Sequence, residues 1–477
     1  MEDYSGIAVI GLDGVPPRVL GSIKEYMPIL SNVLKGSKII DLVSTIPPWT
    51  PPAWISMITG VNPARHGIYT FHNVVKTETG FRTELVRYSS ILYPPLPEVL
   101  NTYGRRGIFL NIPASYQAPR TSNSVMVSDW ASPSIQVNNP KFQYLADAFS
   151  KNIIAKEFTD LYKLRNAIHE RITSIIAAIM RAVEDYKPRL LFSVFSELDW
   201  IMHQDPGFVT GDNIEFYSDI LGEIDRLIAY LRDKHKMRII VVSDHGFALY
   251  SKLIFLGDIL AHRNIRLASI SYGARKSSNL KSKLIAWVSR HKKIKLLAKK
   301  ILLKTIGKLP SSREIPYSSV DVLDLGAYCL YISPRIPRNK VLDALREYSD
   351  YIDTYTCEEA YGEKCHGSYP DIIVVPNNDA FISYHSKDKT MIKEARVSQH
   401  HPIGVLMVEG IDRVPSRANI TSVFALLLTL LDLPIPSYAD KTLIENIDLD
   451  YKVDNKIYTR LLMKKKLRRI KPGKHQG

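Results

Sequence analysis

The 477-residue sequence has very little cysteine and no long apolar run. Its three cysteines are too few for a disulfide framework, and the absence of any Cys-x-x-Cys pair argues against a thiolate zinc site. Cys357 and Cys365 could pair with each other, but we expect free thiols there and at Cys329. The longest apolar run, Val423 to Leu431, is much shorter than the roughly 20 residues that a membrane-spanning helix needs.

The N-terminus also lacks the basic start and apolar run of a signal peptide, because MEDYSGIAVIGLDG leads directly into a strand-like segment. With 45% hydrophobic and 23% charged residues, the composition is that of an ordinary soluble globular protein. We therefore expect a cytoplasmic protein, with a peripheral position on the inner face of the membrane as the alternative. The length predicts one large core with an insertion or a second lobe.

Acidic residues are absent from two segments of a chain whose net charge is +15. Fifteen lysines and arginines lie between Asp258 and Glu314, and nine more follow Asp454. The rest of the chain is therefore net acidic. We predict an α/β core in two parts, at residues 1–258 and 314–450. A basic helical insertion, acting as a cap or a membrane-facing flap, is predicted at residues 259–313, and a basic tail at residues 451–477.

The basic insertion contains an apolar stripe at helical spacing between Leu284 and Ile301, with lysines on the other faces. This pattern is typical of a helix that lies on an anionic membrane. Three interpretations remain open: a lid that packs on the acidic body, a membrane-surface anchor, and a nucleic-acid-binding segment, of which the last is the least favoured. The insertion could also attract an anionic substrate.

Strand-like and helix-like segments alternate along the core. Buried strands are predicted at Ile7–Leu12, Ile39–Ser44, Gly107–Asn111, Leu190–Phe195 and Arg238–Val242, and later ones at Asp324–Ser333 and Pro370–Pro376. Helices are predicted from Leu161 to the residues before Pro188, from Tyr217 to Leu231, and from Thr421 to Leu433. The alternation predicts a mostly parallel sheet sandwiched between helices. Since ligands bind outside the carboxyl ends of such strands, Asp13, Thr50, Asp199, Asp244 and His245 should converge on one edge.

Thr50 stands in TIPPWTPPAW, where a strand is followed by a proline-stiffened turn and a helix. Threonine is a favoured N-cap residue, and Pro51 fits the first helical position. A hydroxyl at this place faces unpaired N–H groups and the positive end of the helix dipole, which favours a phosphate or an oxygen that becomes an alkoxide. Read alone, the segment favours a capped surface helix, and only the rest of the chain favours a functional hydroxyl.

Further aspartates and histidines lie near the predicted strand ends. Asp199 and His203 are four residues apart, so they share a helix face and can bind one ion. Asp244 and His245 directly follow a strand, and His400 with His401 precedes another in a predicted loop. Each pair alone also fits an ordinary surface position.

Taken in order, these motifs resemble the alkaline phosphatase superfamily, specifically its type I phosphodiesterase/nucleotide pyrophosphatase branch. The resemblance rests on VIGLDG, TPPAWISMITGVNPARHGI, ELDWIMH, VVSDHGF and HHPIGVLMVEG. It extends from Ile7 to about Pro436 and is interrupted by the basic insertion. It implies an alkaline phosphatase-like α/β fold.

The resemblance also implies two divalent metal ions, zinc first and manganese as the alternative. One ion would be bound by Asp199, His203 and His400, and the other by Asp13, Asp244, His245 and the Thr50 oxygen. His400 is preferred to His401 because the family has a glycine four residues later, where Gly404 stands. Carboxylate and imidazole ligands without thiolate suit catalytic zinc or manganese.

By the same resemblance, Thr50 is the nucleophile of a hydrolase that forms a phosphothreonine intermediate. Members with threonine act mainly on diesters and pyrophosphates. Sulfatases need an arginine four residues after the nucleophile, and Trp54 stands there instead. Asn73 is the candidate phosphate-binding residue, although its spacing departs from the family pattern. Trp54 is a candidate pocket residue with core packing as the alternative, and His66 is expected to be structural.

We therefore expect a two-metal phosphodiesterase or nucleotide pyrophosphatase whose substrate is a small phosphate ester. The alternative enzyme is a phosphotransferase or phosphomonoesterase acting on lipid or glycan headgroups at a membrane surface. A non-catalytic, metal-stabilised protein that binds membrane or nucleic acid is the third and least favoured interpretation. The sequence leaves the physiological substrate and the oligomeric state open.

Overall fold

The computed structural model describes residues 4–151, 158, 160–269, 312–377 and 379–470. Its strands are β1 (Gly6–Leu12), β2 (Ile39–Val43), β3 (His72–Lys76), β4 (Gly80–Leu85), β5 (Gly107–Ile112), β6 (Ser124–Ser128), β7 (Leu190–Phe195), β8 (Met237–Val242), β9 (Gly246–Phe255), β10 (Leu267–Ser269), β11 (Ser312–Pro316), β12 (Val322–Asp324), β13 (Cys329–Ile332), β14 (Ile352–Tyr355), β15 (Ile372–Pro376), β16 (Ala380–Ser383), β17 (Ile392–His401), β18 (Ile403–Val408) and β19 (Arg417–Asn419).

The α-helices of the described residues are α1 (Pro17–Ile23), α2 (Pro28–Lys35), α3 (Thr50–Thr59), α4 (Pro63–His66), α5 (Leu96–Thr102), α6 (Gln143–Phe149), α7 (Leu161–Tyr186), α8 (Glu197–Gln204), α9 (Pro206–Thr210), α10 (Ser218–Ala229), α11 (Leu256–His262), α12 (Arg338–Arg346), α13 (Cys357–Tyr361), α14 (Ser422–Leu430), α15 (Thr442–Asn446) and α16 (Asn455–Ile470). No helix in these ranges is both long enough and apolar enough to span a bilayer.

The central sheet has eight strands in the order β19-β2-β18-β8-β1-β7-β5-β6. β1 pairs in parallel with β7 and β8, and β5 pairs in parallel with β6 and β7. β18 lies antiparallel between β2 and β8, so the sheet is mainly but not wholly parallel. The predicted α/β fold with a mostly parallel sheet between helices is confirmed.

Each face of the central sheet is covered by helices because its strands are apolar on both sides. Ala8, Ile10 and Leu12 of β1 contribute to one core, which contains the apolar face of α7. Ile7 and Val9 point the other way, into a core formed with α3, α5, α14 and α16. This alternation along a single strand follows from the two-residue period of β structure.

A second, five-stranded sheet has the order β10-β12-β13-β15-β14. The sequence predicts one continuous strand over Asp324–Ser333, and this prediction is wrong. The chain instead forms β12 and β13, which pair antiparallel around a turn. Gly326 lies in that turn with φ +84°, a conformation that side chains with a Cβ rarely adopt.

The ends of the predicted 259–313 insertion take part in folded structure. Ile259 and Leu260 are buried in α11, β10 pairs with β12, and β11 pairs with β4. Residues 270–311, including the predicted helix at Leu284–Ile301, lie outside the described residues, so the basic helical insertion stays a prediction. Of the predicted tail, residues 455–470 form α16, and residues 471–477 lie outside the described part.

The expectation of free thiols is wrong for two of the three cysteines. Cys357 and Cys365 form a disulfide, with a Cα–Cα distance of 6.2 Å that is normal for such a bridge. Cys357 begins α13, and Gly362, with φ +68°, ends it, so the chain turns back towards its start. Cys329 is a buried free thiol, as expected.

Candidate active site

Thr50 lies at the start of α3, after the turn that follows β2. The N-cap residue is Trp49, not Thr50 as predicted, and the Trp49 carbonyl accepts the Ala53 N–H. No side chain caps this helix, so the Thr50 hydroxyl is not used in capping. Its Oγ1 instead lies 3.4 Å from Nε2 of His245. Thr50 is buried, with 7% of its surface exposed.

Asp13, Asp244 and His245 meet because they follow the neighbouring parallel strands β1 and β8. Nε2 of His245 lies 3.7 Å from Oδ1 of Asp13 and 3.4 Å from Oδ2 of Asp244. The Gly14 N–H donates to Oδ1 of Asp244 at 3.2 Å, which connects the two strand ends. Gly14 has φ +76°, and a Cβ there would lie 2.7 Å from the Phe247 ring, so only glycine fits.

A second group forms where α8 meets the end of β17. Nε2 of His400 lies 3.2 Å from Oδ1 of Asp199 and 3.1 Å from Nε2 of His203. Asp199 and His203 are one helical turn apart, with Nε2 of His203 3.6 Å from Oδ1 of Asp199. The predicted loop around His400 is in fact the end of a ten-residue strand that pairs with β9.

Two groups of side chains in the described residues have the spacing to bind a metal ion. They are Asp199, His203 and His400, and Asp13, Asp199 and His245. The first is the group that the resemblance implied. The second group contains Asp199, whereas the set implied by the resemblance has Asp244 and Thr50 in its place. Oδ2 of Asp244 and Oγ1 of Thr50 each also lie 3.4 Å from Nε2 of His245. Asp199 therefore lies between the two positions.

Backbone carbonyls orient the two most buried histidines of the site. Nδ1 of His400 lies 3.1 Å from the Pro48 carbonyl, and Nδ1 of His245 lies 3.1 Å from the Gly246 carbonyl. A proton on each Nδ1 satisfies these carbonyls. The Nε2 lone pairs then point into the site, which is the usual arrangement of a metal-binding histidine.

Asp13 is held in place by residues that the sequence analysis did not identify. Ser196 Oγ donates to Oδ2 of Asp13 at 2.9 Å. The Asn111 amide donates in turn to Ser196 Oγ at 3.2 Å and to the Val194 carbonyl at 3.0 Å. The only sequence signal for Ser196 is its place directly after a predicted strand.

Burial and mutual repulsion oppose the simultaneous ionisation of the carboxyl groups in the site. Burial, followed by the charges of Asp244 and Asp199, raises the pKa of Asp13 well above its ordinary value. Burial likewise raises the pKa of Asp244 to about 7. Burial opposes ionisation of Asp199 as well, but His203 and His400 outweigh it and lower the pKa to about 2. Burial and then the charge of His400 lower the pKa of His245, which keeps its ring neutral.

The donor atoms fit divalent cations. Oδ1 of Asp13 and Oδ2 of Asp244 are buried and accept no hydrogen bond from the described residues. Buried carboxylate oxygens normally have a donor or a cation as partner. Neutral imidazole and carboxylate, with no thiolate in either group, are the ligands of catalytic zinc and manganese sites.

The remaining predicted residues lie elsewhere. Trp54 is fully buried in the core, with its ring edge-on to Phe192, so the pocket role is wrong and the core alternative is confirmed. Asn73 lies in β3 and lines a surface cavity of about 620 Å³ that none of the predicted metal ligands lines. His66 is structural as predicted, since its Nε2 lies 2.9 Å from Ser56 Oγ. His401 accepts the Ile403 N–H at the turn between β17 and β18.

Comparison with known proteins agrees with this geometry. The family model described as type I phosphodiesterase / nucleotide pyrophosphatase matches residues 7–403. A phosphonoacetate hydrolase from Sinorhizobium meliloti 1021, solved with phosphonoformate, aligns with a TM-score of 0.55 at 15% identity, covering 89% of this chain and 95% of that chain. No curated protein matches by sequence.

Two further solved structures have the same fold. Murine ectonucleotide pyrophosphatase/phosphodiesterase 5 aligns with a TM-score of 0.55 at 14% identity, covering 90% of this chain and 95% of that chain. The human protein aligns with a TM-score of 0.56 at 13% identity, covering 93% and 99%. At these identities the likeness shows the fold alone.

Proposed function

The chain belongs to the type I phosphodiesterase/nucleotide pyrophosphatase family, and we propose that it is a metal-dependent phosphodiesterase or pyrophosphatase that works through Thr50. The observation that carries this proposal is the 3.4 Å distance between Thr50 Oγ1 and His245 Nε2. It places a helix N-terminal hydroxyl beside one of the two Asp/His groups.

The residues present would bind two divalent cations, zinc or manganese. Asp199, His203 and His400 would bind one, and Asp13, Asp244, His245 and the Thr50 oxygen would bind the other. When bound, such a pair lowers the pKa of a coordinated hydroxyl and neutralises charge on the transferred phosphoryl group. Oδ1 of Asp13 and Oδ2 of Asp244, which accept no hydrogen bond from any residue that the structure describes, would then gain partners.

The reaction that we propose proceeds in two displacements at phosphorus. The Thr50 hydroxyl loses its proton to solvent, and Oγ1 forms a bond to phosphorus while the bond to the leaving oxygen breaks. A solvent proton neutralises the leaving alkoxide. Water then attacks the phosphothreonine, the bond between Oγ1 and phosphorus breaks, and the hydroxyl is restored. Pro51 and Pro52 have no N–H and the Ala53 N–H is bonded to the Trp49 carbonyl, so the Thr50 N–H is the group at the start of α3 that would face a phosphoryl oxygen.

The substrate class that we propose is a small phosphate ester, with a nucleotide diester or pyrophosphate first. The support comes from similar proteins: a murine ENPP5 structure is described as an inactive threonine-to-alanine form in complex with AMP. Structures of the Sinorhizobium enzyme contain phosphonoformate or phosphonoacetate. These ligands are all small anions with a phosphorus centre.

The test compares the parent protein with Thr50→Ala on bis(4-nitrophenyl) phosphate and on 4-nitrophenyl phosphate, with added zinc or manganese. We expect turnover of the diester by the parent and at least a thousandfold loss in Thr50→Ala. Thr59→Ala, at the other end of the same helix, is the matched control and should keep activity. Acid quenching followed by peptide mass spectrometry should find phosphate on Thr50. Full activity of Thr50→Ala would exclude the proposed nucleophile.

The alternative is a phosphotransferase or phosphomonoesterase acting on lipid or glycan headgroups, at the cytoplasmic face of a membrane. The two basic segments of the sequence favour it. In the same assay, transfer of the phosphoryl group to an added alcohol would identify a transferase, and preference for the monoester would identify a phosphatase. Absence of any turnover would favour a non-catalytic, metal-stabilised protein.

A further inference from the structure

The C-terminal helix α16 is attached to the body of the protein along one face. Tyr458 and Leu461 are buried in the core, and the Tyr458 hydroxyl donates to the Pro434 carbonyl at 2.7 Å. The Lys465 ammonium is also buried, where it donates to the Ile91 carbonyl at 3.1 Å and lies 3.1 Å from Oε1 of Glu98. These contacts fix which side of the helix points away from the protein.

The outward side combines basic and apolar residues. Lys456, Arg460, Met463, Lys464 and Leu467 are spaced by 4, 3, 1 and 3 positions, which puts them on one face of an α-helix. All five are exposed, with 58% of Met463 and 60% of Leu467 accessible. The two apolar side chains are one turn apart, and the three cations lie beside them on the same face.

Single exposed apolar residues are common on protein surfaces and need no explanation. This face differs because its apolar pair lies within a field of one sign. No acidic residue follows Asp454, and Arg468, Arg469, Lys471 and Lys474 continue the basic sequence. Within the described residues, Lys456, Arg460, Lys464 and Lys466 form no ion pair, whereas Lys465 on the buried side does. The outward cations are therefore available to an anionic partner.

We propose that the outward face of α16 binds the surface of an anionic lipid bilayer. Such a surface offers anionic headgroups to the cations and hydrocarbon to Met463 and Leu467 at the same time. A nucleic-acid backbone would match the charges but would leave the apolar pair in water. The basic segment at residues 270–311 has the same charge sign as this face, so charge complementarity does not favour it as the covering group.

The buried face of α16 packs on the body of the protein, so the bilayer would meet the protein on a defined side. This surface is separate from the proposed chemistry, because none of its residues is among the proposed metal ligands. Membrane binding and hydrolysis of a soluble diester can therefore be measured independently. If the protein does not bind membranes, the proposed hydrolytic function is unaffected, and the reverse also holds.

The experiment is flotation of the full-length protein with vesicles of phosphatidylcholine alone or with 30% phosphatidylserine. We expect binding only to the anionic vesicles, decreasing as salt is raised. Arg460→Glu/Lys464→Glu should lower the bound fraction at least tenfold. The matched control, Arg120→Glu/Lys141→Glu, makes the same charge change at exposed positions outside α16 and should bind like the parent.

The double variant Met463→Ser/Leu467→Ser tests whether the partner is a bilayer or another anionic molecule. We expect it to weaken vesicle binding several-fold while its turnover of bis(4-nitrophenyl) phosphate stays at the parental value. The proposal is overturned if both α16 variants bind vesicles like the parent, which would place any membrane contact elsewhere. It is also overturned if the serine variant is unaffected and duplex DNA competes with the vesicles, because the face would then be a nucleic-acid site.

Discussion

Nε2 of His203 and Nε2 of His400 lie 3.1 Å apart, although 197 residues separate them along the chain. Both atoms also lie within 3.6 Å of Oδ1 of Asp199. Two imidazole nitrogens at this distance need a proton or a cation between them, because two facing lone pairs would repel each other. A divalent cation satisfies both nitrogens and the carboxylate together.

The first prediction uses this pair to assign a metal ligand. After loading with zinc and dialysis, we expect the His400→Ala protein to retain one zinc ion fewer per chain than the parent, as measured by elemental analysis. The reason is that Nε2 of His400 belongs to the proposed ligand group of Asp199, His203 and His400. His401→Ala is the matched control, since His401 accepts a backbone N–H at a turn. Loss of the ion from His401→Ala, with retention in His400→Ala, would reverse the assignment.

The second prediction concerns the support of Asp13. Ser196→Ala removes the hydrogen bond to Oδ2 of Asp13. Residues that orient metal ligands in this way typically contribute about 10- to 100-fold to metal affinity or activity. We expect a loss of this size in a zinc titration with a competing chelator.

A matched control for this change exists three residues earlier. Ser193→Ala also removes a fully buried hydroxyl, but Oγ of Ser193 has no hydrogen-bond partner among the described residues. Its metal affinity should equal that of the parent. Equal losses in both variants would show that Ser196 acts through general packing and not through Asp13.

The third prediction concerns a buried ion pair that joins α7 to α8. Arg171 Nε donates to Oε1 of Glu197 at 2.5 Å, and only 1% of each side chain is exposed. The same guanidinium donates to the Phe149 and Lys151 carbonyls. Arg171→Met leaves Glu197 charged and unpaired in the interior, which should cost roughly 3–5 kcal/mol in the free energy of unfolding.

Replacement of both partners tests whether this cost comes from the unpaired charge. Arg171→Met/Glu197→Leu should recover most of the loss in a urea titration, since hydrophobic pairs often substitute for buried ion pairs. If the double variant is as unstable as Arg171→Met, then the bonds to the carbonyls of Phe149 and Lys151 carry the stability instead.

The fourth prediction is a pH dependence that arises away from the site. Burial raises the pKa of Asp324 from 3.8 to about 6. The folded protein therefore keeps a proton that the unfolded chain releases near pH 4, so the free energy of unfolding falls as pH rises from about 4 to about 6. The full loss is on the order of 2–3 kcal/mol and remains at higher pH.

Asp324→Asn should remove this dependence, because an amide has no proton to release. The Asn oxygen can still accept the Gly326 and Ala327 N–H groups that Oδ1 of Asp324 accepts now. Urea titrations of chelator-treated protein between pH 4 and 7 should show the variant gaining stability relative to the parent as pH rises. A difference that is constant with pH would contradict the shifted pKa.

The sequence predicts the ends of the central strands well because those strands are buried on both faces. β1 and β8 are near-continuous apolar runs, and a polar side chain follows each of them. Their carboxyl ends meet at one edge, so Asp13 and His245 could be expected to converge. The same reasoning fails for β17, whose first residues are largely exposed and give no apolar pattern around His400.

Other features depend on contacts that a sequence does not display. Hydrogen bonds from Asn111 to Ser196 and from Ser196 to Asp13 join residues far apart in the chain. Trp54 lies in a helix that is buried on every side, so its position gives no indication of which face meets a pocket. The disulfide between Cys357 and Cys365 depends on the chain turning back after α13.

The two Asp/His groups of the candidate site combine residues as distant in the chain as Asp13 and His400. During synthesis, a chain that has folded its first strands still lacks His400. No contiguous fragment that stops before β17 contains both cation-binding groups. Occupation of the site at Asp199, His203 and His400 would therefore require that translation and folding have passed this strand, and under the proposed two-cation mechanism a shorter chain would be inactive.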